Sequence, residues 1–163
     1  MVNKVSGFFD IKLEGIDGDE DLLSGFQYQA VLVVNVASEC GYTPQYEGLE
    51  ALYQEMGSMG LIVLGVPCNQ FGAQEPGSNV EIVRFCTEKY SVSFPLAAKI
   101  DVNGPDRHPL YAWLTSEENG CPGDIEWNFE KFLVDAEGSL RARYPSATKP
   151  DDAGLMVDLA AIL

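Results

Sequence analysis

The sequence predicts an α/β fold in which a central mixed sheet carries helices on both faces. Two short apolar runs, residues 31–36 and 61–66, are rich in Val, Leu and Ile, as expected of parallel strands buried on both faces. The segment between them has a helical pattern, so these 36 residues are predicted to form a right-handed βαβ unit. Two strand-like segments near the C-terminus, joined by a tight turn, add an antiparallel pair.

The first half of the chain contains an edge strand and a helix besides the two core strands. Residues 8–13 alternate between apolar and polar side chains, which is typical of a strand with one solvated face. Residues 44–56 are predicted to form a helix, because Pro44 suits a first helical turn and glycines follow Met56. Its apolar side chains share one face: Tyr46, Leu49, Leu52, Tyr53 and Met56.

The second half begins with a helix over residues 79–90, capped by Ser78 or Asn79. Its inward face is predicted to hold Val80, Val83 and either Phe85 or Cys86. The later elements are a short strand over residues 96–100, a helix over 109–115, a hairpin of strands 131–134 and 140–144, and an amphipathic helix over 150–163. We see no repeat, low-complexity segment or linker in the sequence, which predicts one domain, residues 1–163.

Composition and charge argue against several classes of partner. A hydrophobic content of 46% and a charged content of 21% are ordinary for a soluble globular protein, and no apolar stretch has the length of a membrane span. The net charge of −15 argues against nucleic acid and against an anionic membrane surface, because both attract basic patches. The N-terminus lacks the apolar region of a secretory signal, so we expect a cytoplasmic location.

Four cysteines, Cys40, Cys68, Cys86 and Cys121, are the candidates for redox chemistry. None belongs to a C-x-x-C pair and the chain has a single histidine, so we expect neither a structural zinc site nor another cofactor. A cytosolic protein keeps such thiols reduced unless they are catalytic or sense oxidants. The histidine, His108, is predicted to lie at a helix start rather than to act as a base or ligand.

Cys40 is the strongest candidate for a reacting atom because of its position. It follows the apolar run that ends at residue 36 and precedes the helix that opens near Pro44. The first N–H groups of a helix are unpaired and carry partial positive charge, which favours a thiolate over a thiol. A thiolate attacks peroxides and disulfides, so the sequence predicts a redox enzyme with Cys40 as its nucleophile.

Three segments of the chain resemble the signature motifs of the glutathione peroxidase family. They are residues 35–43 (NVASECGYT), 66–77 (VPCNQFGAQEPG) and 127–134 (WNFEKFLV). The resemblance covers essentially the whole chain, with the three motifs in order and compatibly spaced. It implies a thioredoxin-like fold and a peroxidase that reduces hydrogen peroxide and organic or lipid hydroperoxides.

The resemblance places the peroxidatic position on Cys40 and its polar partners on Gln74, Trp127 and Asn128. Amide and indole N–H groups are neutral donors, which can stabilise negative charge on sulfur and on the leaving oxygen. Taken alone, each residue also has a structural explanation, Trp127 as a core aromatic and Asn128 as a turn residue. Their combination with Cys40 favours the catalytic interpretation.

Cys86 lies in the stretch where two-cysteine members of the family carry their resolving cysteine. The resemblance therefore implies that a Cys40 sulfenic acid forms a disulfide with Cys86. The alternative is that Cys86 is an apolar residue on the inner face of its helix, since buried free cysteines are common. Because bridging needs Cα atoms within about 7 Å, local unwinding of this helix during turnover is a further hypothesis. Cys68 is interpreted as structural.

Departures from the family pattern bear on the reductant and on assembly. The chain is short between Trp113 and Trp127, where tetrameric, glutathione-specific members carry an insertion, so we expect a monomer or a dimer. Few basic residues surround the motifs, which favours thioredoxin or a similar dithiol over anionic glutathione as the reductant. Glu39 places a carboxylate next to Cys40, where it would disfavour a thiolate unless it points into solvent.

Three other functions stay open at this point. Glutathione could donate electrons directly, with Cys86 idle. The chain could instead be a peroxide sensor that relays its oxidation to a partner protein, or a binding module without turnover. The binding module is disfavoured because every expected polar partner of Cys40 is present.

Overall fold

The computed structural model describes residues 7–163 and contains four strands and four α-helices within them. The strands are β1 (Ala30–Val36), β2 (Leu61–Pro67), β3 (Lys131–Val134) and β4 (Leu140–Tyr144). The helices are α1 (Gln45–Met56), α2 (Asn79–Tyr90), α3 (Pro109–Leu114) and α4 (Ala153–Ile162). Short 3₁₀ turns lie at Phe8–Asp10, Leu23–Phe26, Gly57–Met59 and Glu117–Asn119.

The four strands form one mixed sheet in the order β2-β1-β3-β4. β1 pairs with β2 in parallel, while β3 runs antiparallel to both β1 and β4. The predicted βαβ unit and the predicted hairpin are therefore both confirmed. The parallel register pairs Val36 with Pro67, which brings the carboxyl ends of β1 and β2 side by side. Cys40 and Cys68 both follow this edge of the sheet.

Helices cover both faces of the sheet, as predicted. Val31 and Val33 of β1 face a cluster that includes α3 and the N-terminal segment, whereas Leu32 and Val34 face a cluster that includes α1, α2 and α4. β1 is fully buried on both sides, which explains why its sequence is almost entirely apolar rather than alternating.

The predicted edge strand at residues 8–13 is wrong. Phe8–Asp10 form a 3₁₀ turn, and the chain reaches Gly15 before it makes an isolated antiparallel bridge with Ala97. The backbone N–H groups of Asp10 and Ile11 donate to the carbonyls of Gly7 and Phe8 within this turn, so they do not pair with a neighbouring strand. The alternation of apolar and polar side chains nevertheless indicates correctly which residues are buried, since Ile11 and Leu13 both lie in the core.

The predicted strand at residues 96–100 is also wrong, since Leu96 and Ala97 make only isolated bridges. The segment still lies along the outer edge of β2, where the N–H of Ala97 donates to the carbonyl of Gly65 at 2.8 Å. Gly65 permits this close approach, because a Cβ there would lie 2.6 Å from the Leu96 side chain. The irregular segment thereby covers part of the β2 edge.

Helix α2 has the predicted bounds, but its inward face differs from the predicted one. Val80 is 70% exposed and Val83 is 37% exposed, whereas Ile82 and Cys86 are buried. Ile82 and Cys86 are four residues apart and share one face of the helix, while the two valines lie on other faces. Of the two alternatives at residues 85 and 86, Cys86 is the buried one and Phe85 is partly buried.

The other predicted helices are confirmed with small changes at their ends. His108 caps α3, because its Nδ1 accepts the N–H of Leu110 at 3.0 Å. α4 begins at Ala153 rather than at residue 150, because the Asp152 side chain accepts the N–H of Leu155 and caps the helix. Within the part of the chain that the structure describes, every helix is too short or too polar to cross a lipid bilayer.

Candidate active site

Cys40 lies in the turn that joins β1 to α1. Its backbone N–H donates to Thr43 Oγ1 at 2.9 Å, and the same hydroxyl donates to the carbonyl of Ala37 at 2.8 Å. Thr43 is buried, and its side chain closes a seven-residue loop, residues 37–43, that contains Cys40. Because Pro44 is the N-cap residue of α1, Cys40 lies in the turn just before the N-terminal end of that helix.

The Cys40 sulfur accepts the backbone N–H of Tyr42 at 3.3 Å. The residue is only 8% exposed, so little water competes with this contact. A donor aimed at sulfur stabilises its negatively charged form, which is the nucleophilic one. Glu39 is exposed, so its carboxylate is solvated rather than held against the sulfur.

Gln74 and Asn128 are brought together from distant parts of the chain. Asn128 is fully buried, and its Nδ2 donates to Gln74 Oε1 at 3.0 Å and more weakly to the Phe71 carbonyl at 3.5 Å. The carbonyl of Gln74 accepts the N–H of Glu39 at 3.0 Å, which ties Gln74 to the residue that precedes Cys40. Among residues 7–163, Gln74 Nε2 has no hydrogen-bond acceptor, so this amide group is available to a substrate.

Trp127 packs beside Gln74 and closes the same side of the site. Its ring lies edge-on to Phe71, with centroids 6.0 Å apart, and 36% of the residue is exposed. Gly72, at φ +68°, lies between the two side chains, because a Cβ there would meet Trp127 at 3.2 Å and Gln74 at 3.4 Å. The sequence needs glycine at this position for both the conformation and the contact.

The segment that carries Trp127 and Asn128 is held by buried polar side chains. Asn35 Nδ2 donates to the Trp127 carbonyl at 3.0 Å, and the Asn35 carbonyl accepts the N–H of Phe129 at 2.6 Å. Phe129 has φ 66°, a conformation that costs a non-glycine residue about 1–3 kcal/mol. The buried Lys131 Nζ donates to the Phe129 carbonyl at 2.7 Å and helps to maintain that conformation.

Cys86 lies on the buried face of α2, in the same apolar cluster as Cys40 and Tyr46. Burial raises the pKa of the Cys86 thiol to about 11, and the negative charge of Glu75 adds to the effect. The Tyr46 side chain interacts with the thiol and partly opposes this rise. Cys86 is therefore a neutral thiol at neutral pH, 1% exposed and not accessible to a solute.

The other two cysteines lie apart from this cluster. Cys68 is buried in the cluster on the opposite face of the sheet, and its thiol donates to Gln70 Oε1 at 3.4 Å. Burial raises the pKa of Cys68 as well. Cys121 is partly exposed in a loop whose carbonyls accept hydrogen bonds from Arg143. All four cysteines are free thiols.

A protein-family model described as "Glutathione peroxidase" matches residues 8–115. The chain belongs to the glutathione peroxidase family. Membership makes it a peroxidase, an oxidoreductase. It is 48% identical over 157 residues to the hydroperoxy fatty acid reductase gpx1 of Synechocystis sp., covering 92% of this chain and 91% of the relative. It is 50% identical over 148 residues to the glutathione peroxidase-like peroxiredoxin gpx1 of Schizosaccharomyces pombe, covering 90% and 94%.

Solved structures agree with the family and confirm the predicted thioredoxin-like fold. The structure titled "Crystal structure of Trgpx in apo form" has a TM-score of 0.77 and 37% identity, and covers 97% of this chain and 96% of that one. A thioredoxin-family thiol:disulfide interchange protein of Chlorobium tepidum has a TM-score of 0.68 over the full length of both chains. At 12% identity, that second likeness shows the fold alone.

Sequence reasoning missed two residues that shape the site of this peroxidase, Asn35 and Thr43. Neither touches the sulfur with its side chain, but Asn35 fixes the Trp127–Phe129 segment and Thr43 fixes the Cys40 turn. A signal was available for Asn35, since it interrupts the apolar run of a strand that is buried on both faces. Buried polar side chains are costly unless they bond, so such an interruption indicates a required contact.

Proposed function

We propose that this peroxidase reduces hydroperoxides with Cys40, forms a Cys40–Cys86 disulfide, and is recycled by thioredoxin or a similar dithiol. The observation that carries the proposal is the setting of the Cys40 sulfur. It lies just before a helix with the Tyr42 N–H aimed at it, and the hydrogen-bonded pair of Gln74 and Asn128 is tied to the preceding residue, Glu39, through the Gln74 carbonyl. These features supply a hydrogen-bond donor to the sulfur and neutral donors for the leaving oxygen.

The proposed cycle has three balanced steps. The Cys40 thiolate attacks the terminal oxygen of ROOH, the O–O bond breaks, and the leaving oxygen takes a proton to give ROH and a sulfenic acid. The Cys86 thiol then displaces the hydroxyl group as water and forms the disulfide. A dithiol reductant attacks that disulfide and is itself oxidised, which returns both cysteines to thiols.

Gln74 is the donor to the leaving oxygen in this proposal, and Asn128 orients it. The Asn128 amide occupies Gln74 Oε1, which leaves Gln74 Nε2 to face a substrate. In this proposal Trp127, which packs beside Gln74, contributes its indole N–H as a further neutral donor. The arrangement needs no charged acid, because neutral donors suffice where charge develops out of water.

Gln74→Ala is expected to slow Cys40 oxidation by about 10²–10³-fold, the range for loss of one donor to a developing oxyanion. Asn128→Ala should slow it less, because Asn128 acts through Gln74. The measurement is stopped-flow oxidation of the reduced enzyme by hydrogen peroxide in a single turnover. The control is Gln54→Ala, an exposed glutamine on α1, which should react at the parent rate. Parent rates for all three variants would contradict the catalytic roles.

In the proposed cycle α2 opens before the disulfide forms, because Cys86 is buried within a helix that is capped at both ends. Ser78 and Glu81 form a capping box at its start, and Ser91 at φ 52° ends it. We therefore expect faster amide exchange across Asn79–Tyr90 in oxidised than in reduced protein, measured by hydrogen–deuterium exchange with mass spectrometry. The matched reference is α4, which should exchange equally in both states. Equal protection of α2 in both states would contradict the opening.

The pH dependence of disulfide formation tests the order of opening and attack. Only the Cys86 thiolate attacks, so the rate rises with pH until the pKa of Cys86 is reached. In the closed helix that pKa is about 11. In an opened helix it returns to its ordinary value of about 8.5. We expect the rate of disulfide formation, the second phase in stopped-flow measurements, to level off as the pH passes the lower pKa of about 8.5. A rate that keeps rising up to the higher pKa of about 11 would show that Cys86 attacks before the helix opens.

Substrate and reductant follow from the same proposal. Fatty acid and other organic hydroperoxides are included as substrates, in line with the name of the Synechocystis relative. A dithiol is favoured over glutathione because the net charge of −15 repels an anionic tripeptide. We further propose that the protein acts as a monomer or dimer in the cytoplasm, without a nucleic-acid or membrane partner. Steady-state peroxide consumption with thioredoxin, compared with glutathione, tests the reductant.

A further inference from the structure

Lys131, the first residue of β3, is a fully buried cation. Among residues 7–163 its ammonium group forms no salt bridge with a carboxylate. It donates instead to two backbone carbonyls, that of Phe129 at 2.7 Å and that of Ser146 at 3.2 Å. Burying a charge without an opposite charge is costly, so the presence of this lysine indicates a specific role.

The first of these carbonyls belongs to the segment that carries Asn128. Asn35 binds this segment from one side, through the Trp127 carbonyl and the Phe129 N–H. Lys131 binds the carbonyl of Phe129, whose φ of 66° is unfavourable for a non-glycine residue. Asn128 therefore lies between two anchoring side chains, and Lys131 is the charged one.

The second carbonyl connects Lys131 to the helix that follows Cys40. The Ser146 carbonyl also accepts Gln45 Nε2 at 2.8 Å, and Gln45 is the first residue of α1. This helix begins directly after the turn that contains Cys40. Through one shared carbonyl, Lys131 thus links the segment of Asn128 to the helix next to the nucleophile.

Lys131 is the group in this part of the core that changes its charge near neutral pH. Burial lowers the pKa of Lys131 to about 8, and the negative charge of Glu130 partly opposes this shift. Burial raises the pKa of Tyr46 and of Tyr144, so both stay neutral in this range. Above its pKa, Lys131 keeps N–H groups but loses its charge, and hydrogen bonds from charged donors are about twice as strong as neutral ones. The charged and titratable groups around Lys131 are Glu130 with its partner Arg143, Tyr144 of β4 with Asp158 of α4, and Tyr46 of α1.

We propose that Lys131 is a positioning residue of the peroxidase reaction, whose protonated ammonium group holds Asn128, and through it Gln74, in the arrangement that Cys40 oxidation needs. This inference rests on the proposed function, because it takes Gln74 as the donor to the leaving oxygen. Lys131 contacts neither the sulfur nor the two amides, so it acts through the carbonyls of Phe129 and Ser146 alone.

The first test removes the ammonium group and keeps the length of the side chain. Lys131→Met is expected to slow Cys40 oxidation in stopped-flow measurements by about tenfold, as expected for the loss of a hydrogen bond to a charged group. The control is Lys149→Met, which removes the charge of an exposed lysine and should react at the parent rate. A folded Lys131→Met that reacts at the parent rate beside a slow Asn128→Ala would overturn this inference and leave the proposed function standing. A parent rate in Asn128→Ala as well would overturn both.

The second test combines Lys131→Met with Asn128→Ala to ask whether the two residues act on the same contact. In the Asn128→Ala background, Lys131→Met should slow Cys40 oxidation by less than about twofold, because the bond that it positions is already absent. A merely structural effect of Lys131 would persist in this background. A further loss of about tenfold would therefore overturn the proposal.

The third test follows Trp127 while Lys131 stays in place, so it does not depend on whether a lysine variant folds. In Cys40→Ser combined with Trp113→Phe, Trp127 is the one tryptophan and residue 40 no longer titrates. Because Lys131 holds the carbonyl two residues after Trp127, we expect Trp127 fluorescence to change with a midpoint near the Lys131 pKa of about 8. The change should vanish when Lys131→Met is added. Fluorescence that stays constant through this pH range, or that changes equally with Lys131→Met, would overturn the proposal.

Discussion

Cys40→Ser is expected to consume no peroxide while keeping the parent fold. A serine hydroxyl stays protonated at neutral pH, so it cannot replace the thiolate as a nucleophile. The fold should persist because Ser is of similar size and the turn is fixed by the backbone N–H of residue 40 and by Thr43, not by the sulfur. Peroxide consumption with thioredoxin measures the activity, and far-ultraviolet circular dichroism measures the fold.

The control for this result is Cys121→Ser, which removes a partly exposed thiol outside the Cys40 cluster and should retain parent activity. Appreciable turnover by Cys40→Ser would contradict the assignment of the nucleophile. If Cys40→Ser is folded but inactive while Cys121→Ser is active, the reaction depends on the Cys40 sulfur and not on the Cys121 sulfur.

Cys86→Ser is expected to separate the first step from the rest of the cycle. The variant should still consume a single equivalent of peroxide, since the attacking sulfur and its donors are intact. It should then stop as a sulfenic acid and lose thioredoxin-supported turnover, because no intramolecular disulfide forms for the reductant to attack. Intact-mass spectrometry after a stoichiometric peroxide addition identifies the stalled form.

Cys68→Ser is the matched control, because Cys68 is as buried as Cys86 but lies on the opposite face of the sheet. It should cycle like the parent.

If glutathione is the direct donor, Cys86→Ser supplied with glutathione should turn over normally. A peroxide sensor would show stoichiometric oxidation without turnover even in the parent. If Cys68→Ser stalled while Cys86→Ser cycled, the resolving role would belong to Cys68.

Much of the fold was predictable because buried strands and capped helices leave strong local signals. The bounds of α2 and of both hairpin strands follow from Ser78 at the helix start and from the turn at residues 135–138. For the two segments wrongly predicted as strands, residues 8–13 and 96–100, the sequence indicates buried side chains correctly but not the backbone conformation. Strand pairing depends on a partner edge, and only the tertiary structure reveals that Leu96 packs against Gly65 instead of continuing a ladder.

For the candidate site, sequence motifs identified which residues to consider but not how they bond. They grouped Gln74 and Asn128 as equivalent donors, whereas the structure has Asn128 donating to Gln74. The supporting contact of Asn35 joins two residues that are 92 positions apart in the sequence, so no local pattern encodes it. The inward face of α2 differs from the predicted one because Ile82 and Cys86, four residues apart, share the buried face of the helix, whereas Val80 and Val83 lie on other faces.

The burial of Cys86 has a consequence for how much oxidant the enzyme tolerates. In the proposed cycle, the sulfenic acid at Cys40 can go on to the disulfide, at a rate limited by the opening of α2, or react with a second peroxide to give a sulfinic acid. The first process is unimolecular, while the second grows with peroxide concentration. The ratio of their rate constants is therefore a concentration, above which inactivation outpaces recycling. Substitutions that make α2 open more readily should raise this threshold concentration. Substitutions that stabilise α2 should lower it, so that the enzyme is inactivated at a lower peroxide concentration.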